Sequence, residues 1–122
     1  MKIERELLRG AGPLAVLKLL ERAEMYGYEI VEALAQRTSG VLAMGQSTLY
    51  PLLYNLEAKG LIQSRWLAAE SGRERRYYSL TGKGRKRLKE DCERWSALAS
   101  AMAALGIVSP GRATLAAAGG AA

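Results

Sequence analysis

The sequence contains no histidine and a single cysteine, Cys92. Without histidine, the usual nucleophile and base pairs of enzymes cannot be assembled, and zinc sites built from cysteine and histidine are excluded as well. A glycine-rich phosphate-binding loop of recognised spacing is also missing. A lone cysteine cannot form an internal disulfide and is typical of a reducing compartment, so the expected location is the cytoplasm. An enzyme is therefore not expected, and neither is a metal or another cofactor.

Long apolar runs are missing too. The longest nearly uncharged stretch, residues 95–110, is rich in alanine and interrupted by Gly106, so it is too short and too weakly apolar to cross a membrane. Residues 1–9 alternate in charge and do not form the apolar segment of a signal peptide. A chain of 122 residues has room for one hydrophobic core.

Positive charge is concentrated in one part of the chain. Residues 59–89 include ten basic and two acidic side chains, a local net charge of +8, whereas residues 23–58 include one basic and four acidic side chains. Such a zone favours nucleic acid or an acidic membrane surface as a partner, and a merely soluble basic surface is the alternative. The basic residues fall on a predicted hairpin, not along an amphipathic helix, which speaks against a membrane.

Directly before the basic zone, residues 46–60 are predicted to form a short helix. Gly60 stands where a helix end favours positive φ, and Gln46 or Ser47 can cap the start. Four leucines at helical spacing make an apolar stripe: Leu49, Leu52, Leu53 and Leu56. The opposite side is uncharged: Ser47, Tyr50, Pro51, Tyr54, Asn55 and Ala58. That surface suits close contact with base edges and phosphates in a DNA groove; the alternative is a solvated amphipathic helix with two incidental tyrosines.

The remaining pattern predicts a winged helix-turn-helix in residues 1–80. One helix is expected from about residue 12 to 22, with residues 3–9 as a separate or bent segment, because Pro13 fits only a first helical turn. A second is expected over residues 26–37, and residues 41–44 form either a very short strand or a turn. Residues 61–67 and 75–80 alternate in polarity around a polar turn, which predicts an antiparallel hairpin. In such a mainly α fold with a small β-hairpin, the third helix enters the major groove and the hairpin, or wing, follows the flanking backbone.

Thr81 is predicted to cap a final helix that ends near residue 105. Its apolar residues step by four and three positions and form a seam that no other part of the chain can cover: Leu88, Cys92, Trp95, Leu98, Ala99, Met102 and Leu105. Self-association about a twofold axis is the simplest way to cover this seam, so residues 81–106 are predicted to be a dimerisation helix. Residues 107–122 are expected to form a flexible tail.

Four segments together resemble the signature segments of the PadR-type transcriptional regulators: MYGYEI at 25–30, STLYP at 47–51, LEAKGLI at 56–62 and RRYYSLT at 75–81. They follow one another in unbroken order, and the sequence is similar to the short-tailed members with a single C-terminal dimerisation helix. The resemblance implies a homodimeric winged-helix repressor that binds a palindromic operator in double-stranded DNA. It also implies release by a small aromatic or amphipathic effector. The entry to the first helix, GAGP at residues 10–13, departs from the family pattern.

The resemblance places Ser47, Thr48 and Tyr50 at the start of the recognition helix, and Arg75 and Arg76 in the basic wing. The side chains of the recognition helix are expected to contact bases or nearby phosphates, and the basic side chains to contact phosphates in a strongly salt-dependent manner. The predicted DNA-binding residues are Gln46, Ser47, Thr48, Tyr50, Tyr54, Asn55, Lys59, Arg65, Arg73, Arg75 and Arg76.

The resemblance leaves two alternatives open for the role of each of three aromatic residues. Trp95 matches a tryptophan that lines a cavity between subunits in some drug-responsive relatives; the alternative is a buried dimer tryptophan with no ligand. Tyr26 and Tyr28 match tyrosines of the second helix, whose role is either core packing or a phosphate contact.

The main alternative function is a winged-helix module that binds protein instead of DNA. In that case the face of Tyr50 and Tyr54 would be covered by a partner protein, and operator-like DNA would not be retained.

Overall fold

The computed structural model describes residues 1–109. In chain order these residues form α1 (Arg5–Leu20), β1 (Met25–Tyr26), α2 (Gly27–Arg37), α3 (Gln46–Ala58), β2 (Ile62–Ala68), β3 (Glu74–Leu80) and α4 (Gly82–Ala104). The predicted fold class, mainly helical with a small antiparallel sheet and a long C-terminal helix, is confirmed. Two compact units result, one comprising Met1–Leu88 and the other beginning at Lys89. The tail predicted for residues 107–122 lies mostly outside the described residues.

Aliphatic side chains from three helices form the core of the first unit. Their most deeply buried members, all at most 2% exposed, are Val16, Leu17 and Leu20 of α1, Ile30 and Leu34 of α2, and Leu49 and Leu53 of α3; Ile62 of β2 and Leu88 of α4 are buried to the same extent. Burying a leucine or isoleucine stabilises a fold by about 1.5–3 kcal/mol. The predicted apolar stripe of α3 is therefore confirmed, and it fixes which side of α3 faces solvent.

The hairpin is part of a three-stranded sheet in which β3 lies between β1 and β2. The two residues of β1 pair with β3, Met25 with Tyr78 and Tyr26 with Tyr77. Tyr26, predicted as the first residue of the second helix, instead ends β1, is half-buried and is the N-cap of α2. Its N–H donates a hydrogen bond to the carboxylate of Glu29, at 3.1 Å. A strand of two residues has no periodicity, which is why the sequence predicted only the hairpin.

Two helix starts differ from the prediction. The first helix is continuous from Arg5, with Pro13 in its interior, so the predicted start near residue 12 is wrong, and so is the alternative of a separate segment at residues 3–9. Pro13 removes one backbone donor, but burial of Leu8 before it and of Val16 after it keeps both halves of the helix on the core. The N-cap of α3 is Gly45, without a side-chain capping bond, so neither Gln46 nor Ser47 is the cap. Residues 41–44 form a turn and an irregular segment, not a strand.

The start of α4 is fixed against the root of the hairpin. Thr81 caps the helix as predicted, because its hydroxyl oxygen accepts a hydrogen bond from the N–H of Gly84 at 3.0 Å. A Cβ at Gly84 would overlap the carbonyl oxygen of Leu61, which leaves no room for any side chain. Leu88, predicted to belong to the dimer seam, is 2% exposed within the first unit and is thus unavailable to a partner. The correction has a simple cause: the early turns of α4 belong to the core.

The contact at Gly84 predicts a large effect on stability. Gly84→Ala should lower the free energy of unfolding by about 1–3 kcal/mol or more, because the methyl group forces α4 away from the backbone at Leu61. Gly82→Ala is the matched control: it is the same substitution at the first residue of α4, where nothing lies within 4 Å of a Cβ. Chemical denaturation of both variants measures the difference. Equal stabilities would contradict the close packing.

Candidate nucleic-acid interface

The outer face of α3 is exposed and carries no charge over its first three turns. Ser47, Thr48 and Asn55 are exposed, the side chain of Tyr54 is 77% exposed and that of Tyr50 is 44% exposed. At the start of the helix the N–H groups of Thr48 and Leu49 both donate to the carbonyl of Gly45, at 3.1 and 3.0 Å. Because no side chain caps this end, the side chains of the first turn are left free to contact a ligand.

Tyr50 is the residue of α3 that reaches the neighbouring helix. Its hydroxyl oxygen would lie 2.5 Å from a Cβ at Gly27, the first residue of α2. A side chain at Gly27 would displace the end of the Tyr50 ring, so glycine permits this close approach. Tyr28, the next residue of α2, is 51% exposed.

A groove of about 650 Å³ lies between the starts of α2 and α3 and the hairpin. It brings together five of the predicted DNA-binding residues: Gln46, Tyr50, Arg73, Arg75 and Arg76. Its other lining residues are Tyr26, Gly27, Tyr28, Trp66, Glu74 and Tyr78. Predicted residues that do not line it are Ser47, Thr48, Tyr54, Asn55, Lys59 and Arg65. The groove therefore joins the recognition helix and the wing on one surface, with aromatic walls and basic side chains.

Arg73 and Arg75 lie at the tip of the wing and on its outer part. The tip is a tight turn, in which the N–H of Ala69 donates to the carbonyl of Arg73 at 2.8 Å and Gly72 has a φ of 85°. The guanidinium of Arg75 lies 4.5 Å from the centroid of the Tyr26 ring, which is packed edge-on against Tyr77. An aromatic face orients a cation without neutralising it, so Arg75 keeps a full positive charge at the groove.

Arg65 and Arg76 are held by carboxylates. The Arg65 guanidinium donates to Glu24 at 3.0 Å, and this hydrogen bond lowers the pKa of the Glu24 carboxyl group. Arg76 donates to the Glu57 carboxylate at 2.9 Å and to the Ser64 hydroxyl at 2.8 Å. The ring of Tyr78 lies under Arg76, and burial raises the pKa of its hydroxyl group. The sequence predicted four equivalent wing arginines, and the structure divides them into two pairs.

Lys59 follows the last residue of α3, and its side chain is exposed. Its carbonyl oxygen accepts a hydrogen bond from the ammonium group of Lys83, at 2.9 Å. The next carbonyl, that of Gly60, accepts from the Thr81 hydroxyl at 2.6 Å. The end of α3 is thus tied to the start of α4, and Gly60 has the positive φ that the sequence predicted, 75°.

The family can be assigned from the sequence itself. The family model described as the transcriptional regulator PadR-like family matches residues 16–90, which contain the whole groove. The chain belongs to the PadR-like family. It is accordingly a winged helix-turn-helix, DNA-binding transcriptional regulator and not an enzyme. Within residues 1–109 no cluster of acidic and cysteine side chains could hold a metal ion, and no helix is long and apolar enough to span a bilayer.

Three other PadR-like or related proteins show the extent of the likeness. A transcriptional regulator of Mycobacterium tuberculosis is 37% identical over 87 residues, which cover 71% of this chain and 78% of that protein. A PadR family regulator from Eggerthella lenta is 36% identical, with a TM-score of 0.72 over 82% of this chain and 85% of the other. Bacillus subtilis PadR in complex with operator DNA is 28% identical, with a TM-score of 0.61 over 66% of this chain and 46% of the other.

Two exposed aromatic residues of this PadR-like groove were not among the predicted DNA-binding residues. Trp66, 61% exposed, pairs with Arg76 across the hairpin and faces the groove. Tyr28 was considered, but its alternatives of packing and phosphate contact were left open; at 51% exposed it is not a core residue. Alternation along β2 places Trp66 on the face of the buried Ile62, so periodicity carries no signal of its exposed position in the groove.

The second unit of the PadR-like chain carries the rest of the predicted seam. Trp95 is 40% exposed, Leu98 43% and Leu105 76%, while Cys92 and Met102 are half-buried and Ala99 is exposed. An apolar row of this kind on a charged helix is typical of an interaction surface. Trp95 does not line the groove between α3 and the wing.

Proposed function

We propose that the protein is a transcriptional repressor that binds a palindromic operator as a homodimer. The observation that carries the proposal is a groove in which Gln46 and Tyr50, from the uncharged and exposed face of α3, lie beside an arginine-bearing hairpin. The operator complex of Bacillus subtilis PadR supports it, since that protein has the same fold. A repressor of this kind occupies its operator and excludes the transcription machinery. We also propose that the protein acts in the cytoplasm, where it can reach the chromosome.

Each protomer would place α3 in a major groove. Gln46, Ser47 and Thr48 at its first turn and Tyr50, Tyr54 and Asn55 on the following turns are the proposed base and close phosphate contacts. Uncharged hydrogen-bonding side chains can distinguish bases by donor and acceptor pattern, which charge alone cannot do. Arg73 and Arg75, with Lys59, would supply the sequence-independent affinity for phosphates.

The two DNA-binding domains of the dimer, called heads below, would be joined through α4. In this proposal residues 1–80 bind DNA and residues 81–106 form the dimerisation helix, whose seam runs from Cys92 through Trp95, Leu98, Ala99 and Met102 to Leu105. A twofold pair buries the exposed apolar row of both copies. The recognition helices would then be one DNA turn apart, about 34 Å, or a multiple of it.

Regulation by a small aromatic effector is the remaining part of the proposal. An effector changes operator affinity only if it prefers one spacing of the two heads over another. Trp95 is its proposed contact, because an exposed indole on the seam can stack on an aromatic molecule held between two subunits. Without an effector the same indole would pack in the dimer interface.

Selection of DNA from a random duplex pool tests the proposed function directly. The full chain should enrich a palindrome with half-sites one turn or a multiple apart, and the enriched sequence should be protected from cleavage. Repeating the protection with a panel of aromatic compounds tests release. If no sequence is enriched and no duplex is retained at low salt, the chain does not act as an operator-binding regulator.

A further inference from the structure

The four arginines of the hairpin differ in how their charge is used within the protomer. Arg65 is paired with Glu24, and Arg76 with Glu57. Within residues 1–109, Arg73 and Arg75 have no carboxylate partner. The Arg76 pair is of particular interest, because Arg76 lines the groove together with Gln46 and Tyr50, whereas Arg65 does not.

Glu57 lies on the same side of α3 as Gln46 and Tyr50, the two residues of this helix that line the groove. Gln46, Tyr50, Tyr54 and Glu57 follow one another by four, four and three residues, so they make one row along the helix. Three of them are the uncharged candidates for DNA contact, and Glu57 is the single acid of the row. A carboxylate at a surface that approaches phosphates is unfavourable unless a cation compensates it.

The compensation is a closed ring of three hydrogen bonds. The Ser64 hydroxyl donates to one oxygen of Glu57 at 2.7 Å, and Arg76 donates to the other oxygen at 2.9 Å and to the Ser64 oxygen at 2.8 Å. The side chain of Arg76 is 43% exposed and that of Glu57 is 29% exposed, so water and ions reach the pair. Ion pairs of this exposure contribute little to the stability of a fold. The main effect of this ion pair is that the Arg76 guanidinium already has a partner within the protomer.

We propose that Glu57 is a specificity-determining residue. Its carboxylate binds the Arg76 guanidinium, which would otherwise bind a DNA phosphate. A carboxylate and a phosphate bind the same fork of a guanidinium, so the two compete for Arg76. Every cation that reaches a phosphate adds affinity for all DNA sequences alike. Keeping Arg76 paired therefore lowers binding to arbitrary DNA and leaves a larger share of operator affinity to the base contacts of α3. This inference rests on the proposed function.

The test uses Glu57→Gln, which keeps the size of the side chain and its ability to hydrogen-bond but removes the charge. Binding of the full chain to a mixed-sequence duplex without the operator is measured over a salt series. The log-log slope should become steeper by about 0.9 for each released arginine, about 1.8 for a dimer, with a roughly tenfold gain in affinity at low salt. Glu70→Gln is the control, since it removes the same charge from the wing turn without releasing an arginine.

Arg76→Ala in both backgrounds separates release of Arg76 from a general change of charge. In the wild type this substitution should leave the slope nearly unchanged, because Arg76 is already occupied. In the Glu57→Gln background it should remove the added slope of about 1.8. An equal loss of slope in both backgrounds would overturn the inference, since Arg76 would then contact phosphate in the wild type as well.

Ser64→Ala is a second variant in case Glu57→Gln does not fold, which thermal unfolding reports. It opens the ring without changing any charge and should give a smaller gain in slope; no gain would also contradict the inference. Failure of the proposed function has a different signature. In that case the wild-type chain retains neither the mixed-sequence duplex nor a selected one, whereas failure of this inference alone leaves wild-type binding intact.

Discussion

Replacing Arg73 and Arg75 together by alanine is expected to weaken DNA binding by about two orders of magnitude and to make it much less sensitive to salt. These are the two wing arginines without a carboxylate partner in the described chain, and both line the groove beside α3. If all four copies in a dimer contact phosphates, the log-log slope should fall by about 3.6. Titrations of a selected operator and of a mixed-sequence duplex over a salt series measure the change.

Arg22→Ala with Arg37→Ala is the matched control. Both residues are exposed, neither lines the groove, and their loss lowers the net charge by the same amount. This control should lose affinity only through the general field, with a small change in slope. If the control and the wing variant behaved alike, the wing would not be the phosphate-binding element.

The second large effect is expected at the seam of α4. Trp95→Glu with Leu98→Glu places two carboxylates on each exposed apolar row, where they would face their copies across a twofold axis. The chain should become monomeric, as measured by sedimentation or light scattering. Operator affinity should fall by about 10²–10⁴, because the second head no longer binds as part of the same molecule.

Ala97→Glu with Ser100→Glu controls for the charge itself. These residues have the same spacing of three but lie on the opposite side of the helix, and both are exposed. The control should stay dimeric and retain operator affinity. A seam variant that remains dimeric would show that another surface joins the subunits.

Periodicity predicted the elements whose burial is one-sided over several residues. The stripe of Leu49, Leu53 and Leu56 gave the orientation of α3, and alternation over residues 61–67 and 75–80 gave the hairpin. These patterns are reliable because the regularly spaced apolar residues of each element all face the same core. The exposed face of α3 followed from the same argument.

Features that depend on contacts distant in sequence were not predictable. The ion pair of Arg65 with Glu24 joins residues 41 positions apart, and Arg76 with Glu57 joins residues 19 apart. Nothing in the local sequence distinguishes these arginines from Arg73 and Arg75. Leu88 has the spacing of the seam residues, yet its side chain is buried in the core of the first unit. For Pro13, tertiary burial outweighed the local preference for a break.

The position of Tyr26 limits where residues can be inserted into the chain. It is the last residue of β1 and the N-cap of α2, so no loop separates the strand from the helix. One residue inserted there would either shift the pairing with Tyr77 or rotate α2 by about 100°, which turns Ile30 and Leu34 away from the core. The wing turn at residues 69–73, by contrast, can be lengthened without such a conflict, so natural insertions and engineered grafts belong at the hairpin tip and not at this junction.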